Sequence, residues 1–159
     1  MTLIRESTAG DAESILAIAQ SEPLFNPQET AVVAELLRDY LEREDHNGYF
    51  FLSAQQDDEL VGFACYGPTP MTQGTFDLYW IAVSSIWKGK GIGRELMDAV
   101  EGRVRNASGR MLVLDTSGRL DYASTRAFYE RLGFIRTASI PDFYTAGDDL
   151  VIYTRKLNN

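Results

Sequence analysis

The sequence predicts an α/β (α+β) domain: a mixed, mostly antiparallel sheet flanked by helices. Three observations point there. Two amphipathic helical patterns precede Gly48, and three aromatic and β-branched runs with polar links follow it. A further helical pattern separates TFDLYWIAV from MLVLDT, a crossover that should set those two strands parallel. The 159-residue chain shows no repeat, linker or low-complexity tract, so a single domain over 1–159 is expected. The expected order is β-α-α-β-β-β-α-β-α-β-β.

TLIRE at 2–6 reads as a short strand. Thr8 with Asp11 three residues later is a helix-start pattern, and Ala12, Ile15, Leu16 and Ala19 supply the apolar stripe. A second helix opens with Asn26 as cap, Pro27 in the first turn and Glu29 at the third position. Val33, Leu36, Leu37, Tyr40 and Leu41 form its buried face. GYFFLSA, ELVGFACYG and TFDLYWIAV are three strands joined by QQDD and GPTPMTQG, both antiparallel links. Next comes a helix with Leu96, Met97, Val100 and Val104 on one face, then the buried strand MLVLDT at 111–116. TRAFYERLGF at 125–134 is a helix ended by Gly133. Residues 134–139 and 149–157 are the last two strands, joined by the loop IPDFYTAGD.

Composition narrows the function. Hydrophobic residues at 45% and charged residues at 24% describe an ordinary globular chain. No apolar run reaches the length of about eighteen residues that a membrane span needs. The opening MTLIRESTAGDAES is charged and interrupted, unlike a secretory signal, so a cytoplasmic location is expected. Cys65 is the lone cysteine and His46 the lone histidine, which argues against a disulfide and against a metal centre. Cys65 reads as a core residue and His46 as a surface turn residue. Lysine plus arginine number 15 against 23 acids, a formal net charge of −8, which disfavours nucleic-acid binding.

One locally basic stretch stands out. WKGKGIGREL places Gly89, Gly91 and Gly93 where a helix is about to start, with Lys88, Lys90 and Arg94 among them. A helix start leaves about four backbone N–H groups without partners. No Ser, Thr, Asp or Asn stands near Gly91 to cap them. Bare amides, missing Cβ atoms and the helix dipole together suit a phosphate or pyrophosphate. The P-loop pattern fails because Gly89-Lys90 is followed by Gly91, and the dinucleotide fingerprint fails because its last glycine position falls on Arg94.

A third pattern matches. LYWIAVSSIWKGKGIGREL resembles the coenzyme A-binding motif of the GNAT superfamily of acetyl-CoA-dependent N-acetyltransferases: an apolar strand triplet, a short loop, then Gln/Arg-x-x-Gly-x-Gly/Ala opening a helix. Ile81, Ala82 and Val83 are the triplet, and Lys88, Gly91 and Gly93 fill the motif, with Lys88 replacing the usual Gln or Arg. AFYERLGF at 127–134 resembles the same superfamily's later motif through Phe128, Tyr129, Gly133 and Phe134. Tyr122 stands where Asn is common and Thr125 where Ala is common. The order of elements over 2–157 resembles the GNAT fold as well.

The resemblance implies acetyl transfer from acetyl-CoA, as co-substrate, to a primary amine of a small molecule, amino acid or peptide N-terminus, by direct transfer and without a metal. It implies that backbone amides of Gly89, Lys90, Gly91, Ile92, Gly93 and Arg94, with the Lys88 charge, hold the pyrophosphate. It also implies that Ile81 and Val83 pair with the pantetheine arm, with Phe128 beside it. Tyr129 is then the general acid for the coenzyme A thiolate, since a phenol keeps its proton at neutral pH. Asp77 is the candidate base, standing where some members carry a glutamate six residues before the Val83 position. A strand period of two puts Asp77, Tyr79, Ile81 and Val83 on one face. Asp142, Asp148, Asp149, Phe143 and Tyr144 would form an acidic, aromatic rim for a cationic amine. Related folds often pair, so a homodimer is possible. A non-catalytic acyl-CoA-binding module is the alternative; it would keep the glycine loop and have no use for Tyr129 or a base.

Overall fold

The computed structural model describes residues 1–157; Asn158 and Asn159, included in the expected domain, lie outside the described residues. Its elements follow the expected order: β1 (Thr2–Glu6), α1 (Ala12–Ser21), α2 (Pro27–Glu42), β2 (Phe50–Gln56), β3 (Glu59–Pro68), β4 (Thr75–Val83), α3 (Ile92–Asn106), β5 (Met111–Ser117), α4 (Ala123–Arg131), β6 (Ile135–Thr145) and β7 (Asp148–Lys156). Seven strands form one sheet in the order β1-β2-β3-β4-β5-β7-β6. Only β4 and β5 run parallel, as the crossover through α3 requires.

Each face of the sheet carries its own apolar cluster. Ile15, Ala19, Val33 and Leu37 from α1 and α2 pack on Phe51, Phe63 and Cys65. On the other face Leu96, Met97, Val100 and Val104 of α3 pack on Val61, Ala64, Leu112 and Leu114. The α2 start is as read: the Glu29 N–H donates to Asn26 Oδ1 at 2.8 Å, and Pro27 occupies the first turn. The Thr8–Asp11 pattern opens a short 3-10 turn, Ala9–Asp11, that leads into α1. Cys65 is buried in β3, where burial pushes its thiol well up. His46 sits in a turn, with Nδ1 2.7 Å from the Tyr40 carbonyl.

Asp11 also ties β1 to the α1 entry. Arg5 grips it bidentately at 2.7 and 2.8 Å, and the Thr8 N–H adds a bond at 2.8 Å. The Arg5 hydrogen bonds hold the Asp11 carboxyl at about 2, below the ordinary 3.8. A depressed folded value stabilises above the unfolded pKa and is lost as pH falls through the folded one. That difference is worth on the order of 2 kcal/mol near neutral pH. Asp11→Asn is therefore expected to lower urea-unfolding stability by that order at neutral pH. The gap should close between pH 3.8 and about 2. A gap independent of pH would refute this account.

Two expectations need correction. The last strand pair has almost no loop: β6 runs on to Thr145 and pairs there with Asp148, so IPDFYT is strand with an irregular register after Ile140. The turn is Ala146-Gly147, and Gly147 sits at φ +83. Nor do Asp77, Tyr79, Ile81 and Val83 share a face. In the β3–β4 ladder Cys65 faces Trp80 while Tyr66 faces Leu78, so Tyr79 is an extra, bulged residue. Past it the alternation inverts. Phe76 and Leu78, then Ile81 and Val83, join the α3 cluster, whereas Tyr79, Trp80 and Ala82 join the α1–α2 cluster.

Candidate active site

The parallel pair comes apart early. Thr75, Phe76 and Asp77 pair with Met111, Leu112 and Val113, and beyond that β4 and β5 diverge. Leu78–Val83 therefore turns its ladder groups into an open fork instead of a neighbour. The fork forms the middle of a cleft of about 1230 Å³ that runs from the start of α3 to the α1–α2 loop.

At one end α3 begins as the sequence suggests. Gly91 is its N-cap at φ +85, Gly89 sits at φ +77, and no side chain caps the helix. The first helical bond runs from the Glu95 N–H to the Gly91 carbonyl at 3.0 Å, so the amides before it have no partner within the helix. A Cβ at Gly89 or Gly91 would meet nothing within 4 Å, leaving space for a ligand against the main chain. Gly93 serves packing instead. A Cβ there would lie 3.1 Å from the Phe128 ring, so this glycine lets Phe128 close against α3 and wall the cleft. Ile92 is buried beside Leu96, leaving only its amide to face outward.

The three cations are not equivalent. Lys88 Nζ bonds Glu22 Oε2 at 2.9 Å, and Lys90 Nζ stands 5.1 Å from the Trp87 ring centroid, away from the cleft lining. Arg94 lines the cleft and makes no ion pair among the described residues. Lys88 and Lys90, expected to add charge beside the amides, are thus engaged by Glu22 and Trp87. In an acidic chain each exposed ammonium takes the nearest carboxylate or ring face. Glu22 belongs to the α1–α2 loop, which also reaches the other wall: Tyr122 Oη donates to the Leu24 carbonyl at 3.0 Å. Tyr122, in the place of the common Asn, thus helps hold that loop across the fork.

Tyr129 lies midway. It is 8% exposed and lines the cleft, with its ring against Phe128, Phe134 and Tyr153. Its hydroxyl finds no hydrogen-bond partner among the described residues, and burial raises its pKa above the usual phenol value.

The far end is acidic and aromatic. Phe25 packs edge-on against Trp80 at 5.1 Å, and Glu29, Tyr79, Asp115, Tyr144 and Asp148 complete the walls. Burial lifts the Glu29 carboxyl. Asp115 is open to the cleft, yet the surrounding protein displaces enough water to raise its carboxyl, and the nearby Asp77 raises it further. Tyr144 is pushed up to about 12 by burial and by Asp115. Arg119 is held by Asp121 at 2.6 Å and stands 3.8 Å from Asp148, so the chamber stays negative.

The expected acceptor rim is only partly there. Tyr144 and Asp148 reach the cleft. The Asp142 N–H donates to Asp149 Oδ1 at 3.0 Å and the Gly147 N–H to Asp142 Oδ1 at 2.8 Å, so those two carboxylates fasten the hairpin. Asp77 lies outside the cleft lining, where it accepts from Thr69 Oγ1 at 2.7 Å and from the Tyr79 hydroxyl at 3.4 Å. Asp115 escaped the sequence reading, although it was visible as a lone acid ending the apolar run MLVL. Glu29 was read only as part of the α2 cap, and Glu22 and Phe25 lie in the α1–α2 loop, for which no role was read.

Fold and cleft together define an acetyltransferase. The chain belongs to the Acetyltransferase (GNAT) family, whose model matches residues 13–134. It is 43% identical to a solved protein of the GNAT family from Desulfovibrio desulfuricans, with a TM-score of 0.95 over 98% of this chain and 99% of that one. It is also 26% identical to the 5-NmdU N-acetyltransferase of Pseudomonas phage PaMx11, over 84% of this chain and 87% of that protein. The N-alpha-acetyltransferase 30 of Schizosaccharomyces pombe is 30% identical over 65% of this chain and 69% of its own length. The aminoglycoside 6'-N-acetyltransferase solved with coenzyme A has the same fold, with a TM-score of 0.77 at 17% identity over 99% of this chain and 98% of that one.

Proposed function

We propose that this protein moves the acetyl group of acetyl-CoA directly to a cationic primary amine, both substrates being bound together in the cleft. The observation that carries this reading is the fork between β4 and β5, which leads from the uncapped start of α3 past the free Tyr129 hydroxyl to a negative chamber. Acetyl-CoA supplies an activated acyl group on a thiolate leaving group. The amides from Gly89 to Arg94, with Arg94 beside them, hold its diphosphate, and the ladder groups of Ile81 and Val83 hold the pantetheine arm with Phe128 alongside. Lys88 joins them by exchanging Glu22 for phosphate.

Asp115 takes the proton from the arriving ammonium, because it lines the cleft just past the divergence of β4 and β5, where burial and Asp77 raise its basicity. Tyr129 returns a proton to the thiolate. The negative balance of Glu29, Asp115 and Asp148 against the neutralised Arg119 favours an acceptor without a neighbouring carboxylate. The relatives act on varied acceptors, among them the one named 5-NmdU, so the acceptor follows from this chamber and not from the family. We assign the reaction to the cytoplasm, where a lone thiol such as Cys65 stays reduced.

A panel of amines and peptides with free N-termini, scored by coenzyme A release, tests the reading; turnover is expected with cationic amines. Calorimetry with coenzyme A adds a check on the loop. Gly91→Val puts a Cβ into the ligand's space at φ +85, and about tenfold weaker binding or worse is expected. Equal affinity would remove the loop from the site. Tight acetyl-CoA binding with no turnover of any amine would favour a binding module.

A further inference from the structure

Asp77 and Asp115 are neighbours across the base of the fork. In the parallel register Asp77 faces Val113, and Asp115 stands two residues further along β5, on the same face as Val113. Asp77 is the last residue of β4 that pairs with β5, and Asp115 lies just past the point of divergence. Asp77 is not free to reach an acceptor: Thr69 Oγ1 donates to it at 2.7 Å and the Tyr79 phenol at 3.4 Å. Both hydrogen bonds hold the carboxylate in place. The Tyr79 bulge aims that phenol back at Asp77, since it is the residue that shifts the β3–β4 register.

We propose that Asp77 is a positioning residue whose carboxylate, fixed by Thr69 and Tyr79 at the base of the fork, sets the basicity of Asp115. The inference rests on reading Asp115 as the base. A fixed negative charge nearby disfavours a second one, so Asp115 holds a proton more readily than an isolated aspartate in the same cleft. The other titratable and charged groups at this end are Glu29 of α2, Tyr79 of β4, Arg119, Asp121 and Tyr122 ahead of α4, Tyr144 of β6 and Asp148 of β7. Among the carboxylates, Asp77 alone adds to burial in raising Asp115. Arg119 is taken up by Asp121 and Asp148. The two acids thus divide the work, with Asp115 meeting the amine and Asp77 tuning Asp115 from behind.

The test needs no acceptor. Side-chain carboxyl carbons of the free, isotopically labelled protein are titrated by NMR, with Asp115→Asn used to assign the Asp115 resonance. In Asp77→Asn, which keeps the shape of the side chain, the Asp115 midpoint is expected to fall; in Asp77→Glu it should stay high. An Asp115 midpoint equal in wild type and Asp77→Asn overturns the proposal. Should Asp77→Asn not fold, Asp77→Ser is titrated in its place. An Asp115 midpoint equal to that of wild type overturns the proposal.

Kinetics separates this inference from the reading beneath it. With an amine from the panel, Asp115→Asn is expected to cut kcat/KM by about 10²-fold. In Asp77→Asn the acid limb of kcat/KM should move to lower pH, so that well below the wild-type midpoint the variant is faster by about threefold or more. An unchanged kcat/KM in Asp115→Asn sinks the assignment of the base. An acid limb unmoved in Asp77→Asn, with Asp115→Asn inactive, sinks only the tuning role.

Discussion

Tyr129→Phe is expected to lower kcat by about 10²-fold or more, with coenzyme A affinity nearly unchanged. The substitution removes one atom from a ring that Phe128, Phe134 and Tyr153 hold in place. That atom has no protein partner among the described residues, so its loss leaves no orphaned donor or acceptor and the fold should be unaffected. What disappears, on the proposed mechanism, is the proton source for the leaving thiolate. Burial raises the phenol pKa, which keeps Tyr129 protonated throughout the working range. The same dry surroundings raise the basicity of a departing thiolate, so the transfer stays matched. Steady-state kinetics with saturating amine, beside calorimetry with coenzyme A, checks the split. A kcat within about twofold of wild type would leave Tyr129 as a core aromatic and no more.

Arg155→Ala should be strongly destabilising although it lies away from the cleft. Glu101 of α3 is 4% exposed, and Arg155 of β7 reaches it through Nη1, which also donates to the Leu132 carbonyl at the end of α4 at 2.5 Å. One guanidinium therefore satisfies a buried carboxylate and a helix C-terminus together. Removing it leaves Glu101 with only Arg105, at 3.5 Å, and a loss of about 3 kcal/mol is expected. For a chain of this size that corresponds to a fall in Tm of about 10 °C. The sign of the pH dependence is diagnostic. Burial already raises the Glu101 pKa, and losing its main partner raises it further. A folded-state value above the unfolded one means that folding binds a proton, so the variant recovers stability as pH falls towards about 5. Urea unfolding near neutral pH and at about pH 5 reads both effects. A loss below about 1 kcal/mol, or a gap that widens on acidification, would refute this account.

How much was legible in the sequence depends on how local the signal is. The α2 cap at Asn26, the apolar stripe of α3 and the glycine run at 89–93 each lie within a turn or two of chain, so each could be read directly. The parallel pairing of β4 and β5 followed from the crossover between them. Three things could not be read. The bulge at Tyr79 depends on where β3 holds β4, and it reverses which side chains of β4 face α3. Lys88 and Lys90 looked like anion ligands in the sequence. Glu22, far away in the chain, and Trp87, close by, engage them once the chain folds. Asp115 gained its place in the cleft only from the fork, because a carboxylate ending a buried strand becomes a cleft wall when the neighbouring strand turns away.

The sequence by itself thus determined the order of elements, the open helix start and the tyrosine beside it, because helix and strand periodicity, capping and glycine freedom are properties of neighbouring residues. The tertiary structure decided which carboxylates line the cleft, which cations are engaged and where the sheet divides. Those are pairings between residues far apart in the chain, and charge, burial and register act through space.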